Sequence, residues 1–511
     1  MPGAFRNARR LLKIARILAR HDALFLLEKL EVAPAAMTAA RLISRKRVKG
    51  RPGQRLAKAF QEAGPSFIKL GQALSTRSDL LGEELTADLS ELQDSLAPFS
   101  SAEARAAIEA EFGQSVDDLF SEFDGKAVAA ASIAQVHFAV TKDGRDVAVK
   151  ILRPGVEAAF EADLDLFTWV AGLIEKLRPE LRRLKPVQSI KTIANTVAME
   201  MDLRFEAAAA AELGENFKDD ETFNIPAIDW ALTGRRIMTA ERMGGIPMDD
   251  RDAVLKAGLD PEEVVKKASR AFFMQVFRDG FFHADLHPGN LFVDKDGNIA
   301  AVDFGIMGRM DRRTKRHLGE MLLGFLTRDY ARASRVHFDA GWVPADQSID
   351  LFTQACRSIA EPILDRPQNE ISIARLLGQL FGISETFQME AQPQLLLLQK
   401  TMLVAEGTAR TLCPEANMWL LIRPLIEEWM AKTLAPENLI AETLDEATTT
   451  LRRLPIIIES LEKSVVQVTQ GGLKLHPDTV RSMVGDKGQG SSLPLWVIAA
   501  LLLALLLIQT L

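Results

Sequence analysis

The reading turns on His283-Ala284-Asp285-Leu286-His287-Pro288-Gly289-Asn290, followed downstream by an apolar strand pattern that ends in Asp303-Phe304-Gly305. Asp285 and Asn290 stand in a D-x-x-x-x-N spacing. An aspartate in such a loop orients a nucleophile or takes its proton, and the asparagine lends an oxygen to Mg2+. Asp303 closes a strand 18 residues after Asp285 (303 − 285), where a carboxylate can chelate a cation bridging two phosphates. Upstream, Val147-Ala148-Val149-Lys150 ends an apolar run on a lysine. Such an ammonium must reach into a cleft or toward a carboxylate. Alone, a terminal strand lysine is commonly a solvated cap, and Asp-Phe-Gly recurs by chance. The three groups in this order, each in its strand or loop, point to binding of nucleotide phosphates. His283, Asp285 and His287 also suggest a metal site. Alternate residues on an extended segment splay to opposite sides, so both histidines read as structural.

Working outward, the periodicities predict three strands over Gly125 to Ala130, Ile133 to Thr141 and Arg145 to Leu152, with Lys142-Asp143-Gly144 as a hairpin turn. Helices are predicted over Val156 to Lys176 and Val187 to about Asn216. Two strands fit Ile225 to Ala231 and Arg235 to Met243. Asp260-Pro261 caps a helix running to Asp279, with proline at its first position. The strands Asn290 to Val293 and Ile299 to Asp303 flank the turn Asp294 to Gly297. Helices dominate before and after this layer. The order is α+β, not the alternation of a doubly wound sheet.

The chain has 511 residues, 47 % hydrophobic and 26 % charged, which excludes a disordered chain. A net charge of −7 argues against a nucleic-acid partner. Cys356 and Cys413 cannot build a disulfide framework or a zinc site. Six bases, Arg6, Arg9, Arg10, Lys13, Arg16 and Arg20, interleave with apolar residues at helical spacing. That pattern fits either an interfacial helix on anionic lipid or a solvated helix packed on the body. Residues 493–511 carry no charge and, at 1.5 Å per residue, would extend about 28 Å, so a C-terminal transmembrane helix is predicted. Arg481 and Lys487 lie before it, which puts the body on the cytoplasmic side.

No G-x-G-x-x-G precedes Lys150. The chain instead reads Ala129-Ala130-Ala131-Ser132-Ile133-Ala134-Gln135. Alanine restricts φ, so this backbone approaches phosphate less freely than a glycine loop. No A-P-E closely follows Asp303. Lys69-Leu70-Gly71-Gln72 and Glu200-Met201-Asp202, with Glu206 beyond, complete the set. On these motifs the chain resembles the UbiB family of atypical kinase-like proteins, over about residues 50 to 320. The resemblance implies a protein-kinase-like two-lobed fold. It divides the chain into N-terminal basic helices (1–40), a K-x-G-Q extension (41–115), a kinase-like core (116–310), a helical region (311–480), a linker (481–492) and the terminal helix (493–511). In the family the K-x-G-Q helices lie over the active site and block the peptide groove.

The resemblance implies ATP and Mg2+, with Lys150 and the Ala129–Ser132 loop on phosphates, Asn290 and Asp303 on Mg2+, and Asp285 as the catalytic residue. It implies support of ubiquinone biosynthesis, with lipid precursors and other biosynthetic proteins as partners, at a bacterial inner membrane. Lys69 and Gln72, three apart, share a helix face. Six residues turn a helix by about 240° net, so Glu200 and Glu206 cannot both face Lys150. Glu206 is the expected partner of Lys150, leaving Glu200 and Asp202 for Lys69. Two other classes remain open: a small-molecule or lipid kinase, and a nucleotide-binding scaffold without catalysis.

Overall fold

The computed structural model describes residues 2–25, 50–75, 96–177, 186–362, 393–414 and 418–433, with short pieces within 85–92 and 379–389. Met1–Ala431 form one compact unit and Lys432–Leu511 a second. The second is described only at Lys432 and Thr433.

Among the described residues the chain opens with α1 (Pro2–Arg20), α2 (Pro52–Ala63) and α3 (Pro65–Ser75). Ile14, Ile17 and Leu18 of α1 are buried against Leu56 and Phe60 of α2 and Phe67 of α3. The apolar face of α1 is therefore packed on the body, while Lys13 and Arg16 stay exposed. Gly71 in α3 lets the preceding helix, α2, come close, because a Cβ there would lie 2.7 Å from the Phe60 ring.

A capping box follows, in which Ser100 accepts from Glu103 N and the Glu103 carboxylate accepts from Ser100 N. It starts α4 (Ser101–Phe112), which leads through the single turn α5 (Val116–Leu119) into a sheet. The strands are β1 (Phe120–Phe123), β2 (Ala129–Ala130), β3 (Ala134–Thr141), β4 (Asp146–Leu152) and β6 (Ile237–Glu241), ordered β1-β3-β4-β6 with β2 beside β3, all antiparallel. The period of two buries Val147, Val149 and Ile151 of β4 against α4. Lys150 falls on the opposite face, where α6 (Val156–Leu177), α7 (Pro186–Glu200) and α8 (Leu203–Asn216) pack through Phe160, Val197 and Ala207.

The remaining strands are shorter. β5 (Phe223–Asn224), β7 (Ile246–Pro247), β9 (Leu291–Val293) and β10 (Ile299–Ala301) form a second sheet, ordered β5-β10-β9-β7, in which β5 and β10 run parallel. β8 (Phe281–His283) pairs with β11 (Met307–Arg309). α9 (Arg251–Lys256) and α10 (Pro261–Phe273) pack below, and α10 continues as a π turn over Met274–Asp279. Then come α11 (Arg312–Leu326), α12 (Tyr330–Asp339), α13 (Ile349–Ala360), α14 (Pro393–Leu412) and α15 (Met418–Thr433). Val264, Leu286, Leu291, Ile299, Phe304 and Leu412 share the core between the second sheet, α10 and α14.

Several expectations change. The predicted helix from Val187 to Asn216 is two helices, because the Asp202 carboxylate accepts from Arg204 N and caps a new start. Of the predicted strand Gly125 to Ala130 only Ala129–Ala130 pairs, and Ile225 to Ala231 reduces to a single bridge at Ile228. The predicted C-terminal transmembrane helix is withdrawn: among the described residues no helix is long and apolar enough to cross a membrane. Residues 493–511, on which that expectation rested, lie outside the described residues, as does the linker 481–492.

Gly71→Ala tests the α2–α3 approach. In an open helix the change would gain about 1 kcal/mol. Here the added methyl overpacks the contact with Phe60, which costs about 1–3 kcal/mol. A lowered thermal midpoint is expected; a raised one would show that the helices do not depend on the glycine.

Candidate nucleotide site

The site grows from β4. Lys150 stands opposite Val136 of β3 and Met238 of β6, so both neighbouring strands hold it in place. Its side chain crosses to α8, where Nζ donates to Glu206 Oε1 at 2.6 Å. Nζ also lies 3.1 Å from Asp303 Oδ1. The run Ala207 to Ala211 keeps α8 slim, and Ala207 and Ala210 are fully buried. Asp303 follows β10 with φ of 62°. That left-handed conformation is tolerated by aspartate better than by most side chains.

One ammonium thus faces two carboxylates. Burial alone would lower the Lys150 ammonium, but Asp303 and Glu206 outweigh it and hold it above its ordinary value. Burial pushes Glu206 up to about 7; Lys150 opposes the push and Asp303 adds to it. Burial also acts to raise Asp303, yet Lys150 outweighs it and brings that carboxyl down to about 2. The Glu206 side chain is 8 % exposed and that of Asp303 46 %. Water therefore screens Asp303, and the first proton taken up belongs to Glu206.

Lys69 of α3 pairs with Glu200 at the end of α7, Nζ to Oε2 2.9 Å. Gln72 lies one turn further along α3. Asp202 is engaged by Arg204 instead of Lys69. The two glutamates serve different lysines because the chain breaks at Asp202; the separation along one continuous helix, argued from sequence, does not apply.

The loop from 283 to 290 is fixed by its own polar groups. His283 is fully buried, its Nδ1 accepts from Asp285 N at 3.1 Å, and its Nε2 faces Val302 O at 3.3 Å. These partners assign the proton to Nε2 of a neutral ring, and burial lowers its pKa accordingly. Gln275 in the π turn accepts from His283 N at 2.9 Å. His287 Nδ1 accepts from Gly289 N. Both histidines therefore organise backbone, and no cluster of three or more metal-ligating side chains occurs among the described residues. Asn290 Nδ2 donates to Asp285 O at 3.0 Å, which leaves Oδ1 as its acceptor for a ligand.

Ala129 and Ala130 pair with Val136 and Gln135, and Ala131 N donates to Ala134 O at 2.8 Å. No residue of this turn has a positive φ, so alanine suits it. Arg153 ties the turn down by donating to Ala131 O and Ala97 O. Ser132 is buried, and its hydroxyl has no partner among the described residues.

Sequence reasoning missed a second approach to Asp285. Lys400 of α14 lies with Nζ 3.5 Å from Asp285 Oδ1. The Thr401 hydroxyl is 3.1 Å from Ala284 O and 2.9 Å from Leu397 O, one proton serving both. The available signal was a lone lysine following Leu395 to Leu398 in an apolar helix.

A strand lysine between a helix glutamate and the aspartate of Asp-Phe-Gly, beside a D-x-x-x-x-N loop, is a kinase-like arrangement. The ABC1 atypical kinase-like domain matches residues 91–337, and the UbiB helical domain matches residues 356–417. A Marinobacter nauticus protein named "Probable protein kinase UbiB" is 41 % identical over 424 residues, covering 82 % of this chain and 78 % of that one. An Azotobacter vinelandii protein of the same name is 38 % identical over 472 residues, covering 90 % and 87 %. The solved Mycobacterium tuberculosis protein Rv3197, in complex with erythromycin, shares the fold with a TM-score of 0.54 at 24 % identity, over 79 % of this chain and 99 % of that one. The chain belongs to the UbiB family of ABC1 atypical kinase-like proteins.

Glu206 gives a pH prediction in metal-free buffer. Its folded value, about 7, lies above its ordinary 4.5. The stability linked to its proton is therefore full below pH 4.5 and is lost as pH rises through about 7. Glu206→Gln removes that loss, so the urea midpoint of the variant should gain on wild type from about pH 5 to pH 8. Parallel midpoints across this range would contradict the assignment.

Proposed function

We propose that the protein is a Mg-ATP-dependent kinase-like ATPase that supports ubiquinone biosynthesis by making lipid precursors accessible. The carrying observation is Lys150 held between Glu206 and Asp303, with Asp285 and Asn290 in one loop nearby. The donor set suits a hard cation: Asp303 is held ionised and partly exposed, and Asn290 offers a neutral oxygen. When bound, Mg2+ neutralises phosphate charge. Lys150 holds phosphate oxygens of the substrate, and the Ala129–Ser132 turn covers them. Asp285 orients the attacking water and takes its proton as the oxygen bonds to the γ-phosphorus. The β–γ bridging oxygen keeps the bond electrons and leaves with ADP.

The pairing of Lys69 with Glu200 supports hydrolysis over transfer to a peptide, because α3 is tied to the segment leading into α8. The exposed Lys13 and Arg16 on α1 support contact with anionic lipid. A second reading, transfer to a small-molecule or lipid hydroxyl, is favoured by Asp285 alone, whose side chain keeps 37 % exposure to an acceptor.

Phosphate release by the full-length chain, with and without vesicles containing anionic lipid, tests the proposal. Asp303→Asn and Asp285→Asn should each lower release by about 100-fold or more. Label from γ-phosphate appearing in a lipid extract would move the account to the second reading. Full quinone synthesis in cells whose only copy carries Asp303→Asn would overturn both.

A further inference from the structure

We infer that Lys400, carried on α14, is a positioning residue that holds the Asp285 carboxylate, so that docking of the helical region sets the catalytic loop. The inference deepens the proposed phosphoryl chemistry and rests on it. The loop from His283 to Asn290 contains no lysine or arginine. Its one exposed ring, His287, is engaged by Gly289 N. The cation next to Asp285 comes instead from a residue 115 positions away.

The placement is built. Thr401 is fully buried, and its hydroxyl reaches Ala284 O. Consecutive residues of α14 therefore meet consecutive residues of the loop. Further along, Ala409 and Leu412 of α14 and Leu286 of the loop share one apolar core. These contacts fix the helix, while Lys400 adds little to its hold. Its side chain is 44 % exposed and that of Asp285 37 %, and a pair so exposed contributes little to stability.

The contact acts on orientation. With Oδ1 held by Lys400, the Asp285 carboxylate turns less freely, and Oδ2 is the oxygen presented to the nucleophile. A positioned base gains its rate from geometry, so loss of the holder lowers turnover without loosening the substrate.

The test uses the full chain with Lys400→Met, which keeps an unbranched stem, and Lys400→Arg, which keeps a cation. For Lys400→Met, kcat for phosphate release should fall about 10-fold or more, with KM and directly titrated ATP affinity within about twofold. The thermal midpoint should stay within about 2 °C, and Lys400→Arg should recover most of kcat. A Lys400→Met kcat within about twofold of wild type overturns the inference. So does a loss matched by lost ATP affinity, or one that arginine does not restore. The carboxyl 13C resonance of Asp285 in the nucleotide-free protein gives a readout apart from turnover. A shifted resonance in Lys400→Met supports the inference and an unchanged one overturns it, even if wild type releases no phosphate and the proposed activity itself fails.

Discussion

The Lys150 ammonium joins β4, α8 and the end of β10 through Glu206 and Asp303. Much of the molecule serves that junction. The alternation of β4 turns Lys150 away from the apolar layer under the sheet. The alanine run in α8 lets Glu206 come near. A left-handed φ at Asp303 places its carboxylate on the same ammonium. Three charges in partly dry surroundings cannot all be balanced: Glu206 rises to about 7 while Asp303 falls to about 2. The partly exposed carboxylate stays ionised and the buried one takes the first proton, a division suited to a site that receives a cation at Asp303.

Two segments outside the core close on this junction. Lys69 of α3 meets Glu200 just before the break at Asp202 from which α8 starts. Lys400 and Thr401 of α14 meet the loop that carries Asp285. The N-terminal extension is thereby linked to the segment carrying Glu206, and the helical region to the loop carrying Asp285. Both contacts combine an ion pair with apolar packing nearby, and the packing carries the greater share of the stability.

The motifs and the pairing of Glu206 with Lys150 and Glu200 with Lys69 were legible in the sequence; the helix break between the glutamates and the Lys400 contact were not. Lys150, Asp285, Asn290 and Asp303 stand out because each lies in a short stretch of recognisable spacing; the structure puts Asp303 on Lys150 and bonds Asn290 to Asp285 O. The helix break at Asp202 went unseen because cap geometry is only partly written in residue type. The strands β8 and β11 are three residues each, too short for an alternation to register. The π turn that brings Gln275 to His283 has no periodic signature. Lys400 escaped notice, because its partner lies 115 residues away. The terminal apolar stretch invited a membrane-spanning reading on hydropathy alone, and no spanning helix stands among the described residues.

The most direct test of the account is titration of a non-hydrolysable ATP analogue into the full-length chain, with and without Mg2+, beside Lys150→Met. The account predicts binding strengthened by Mg2+ and weakened about 10-fold or more by Lys150→Met, the loss of a charge-assisted contact with phosphate. Binding that ignores both Mg2+ and Lys150 would contradict it.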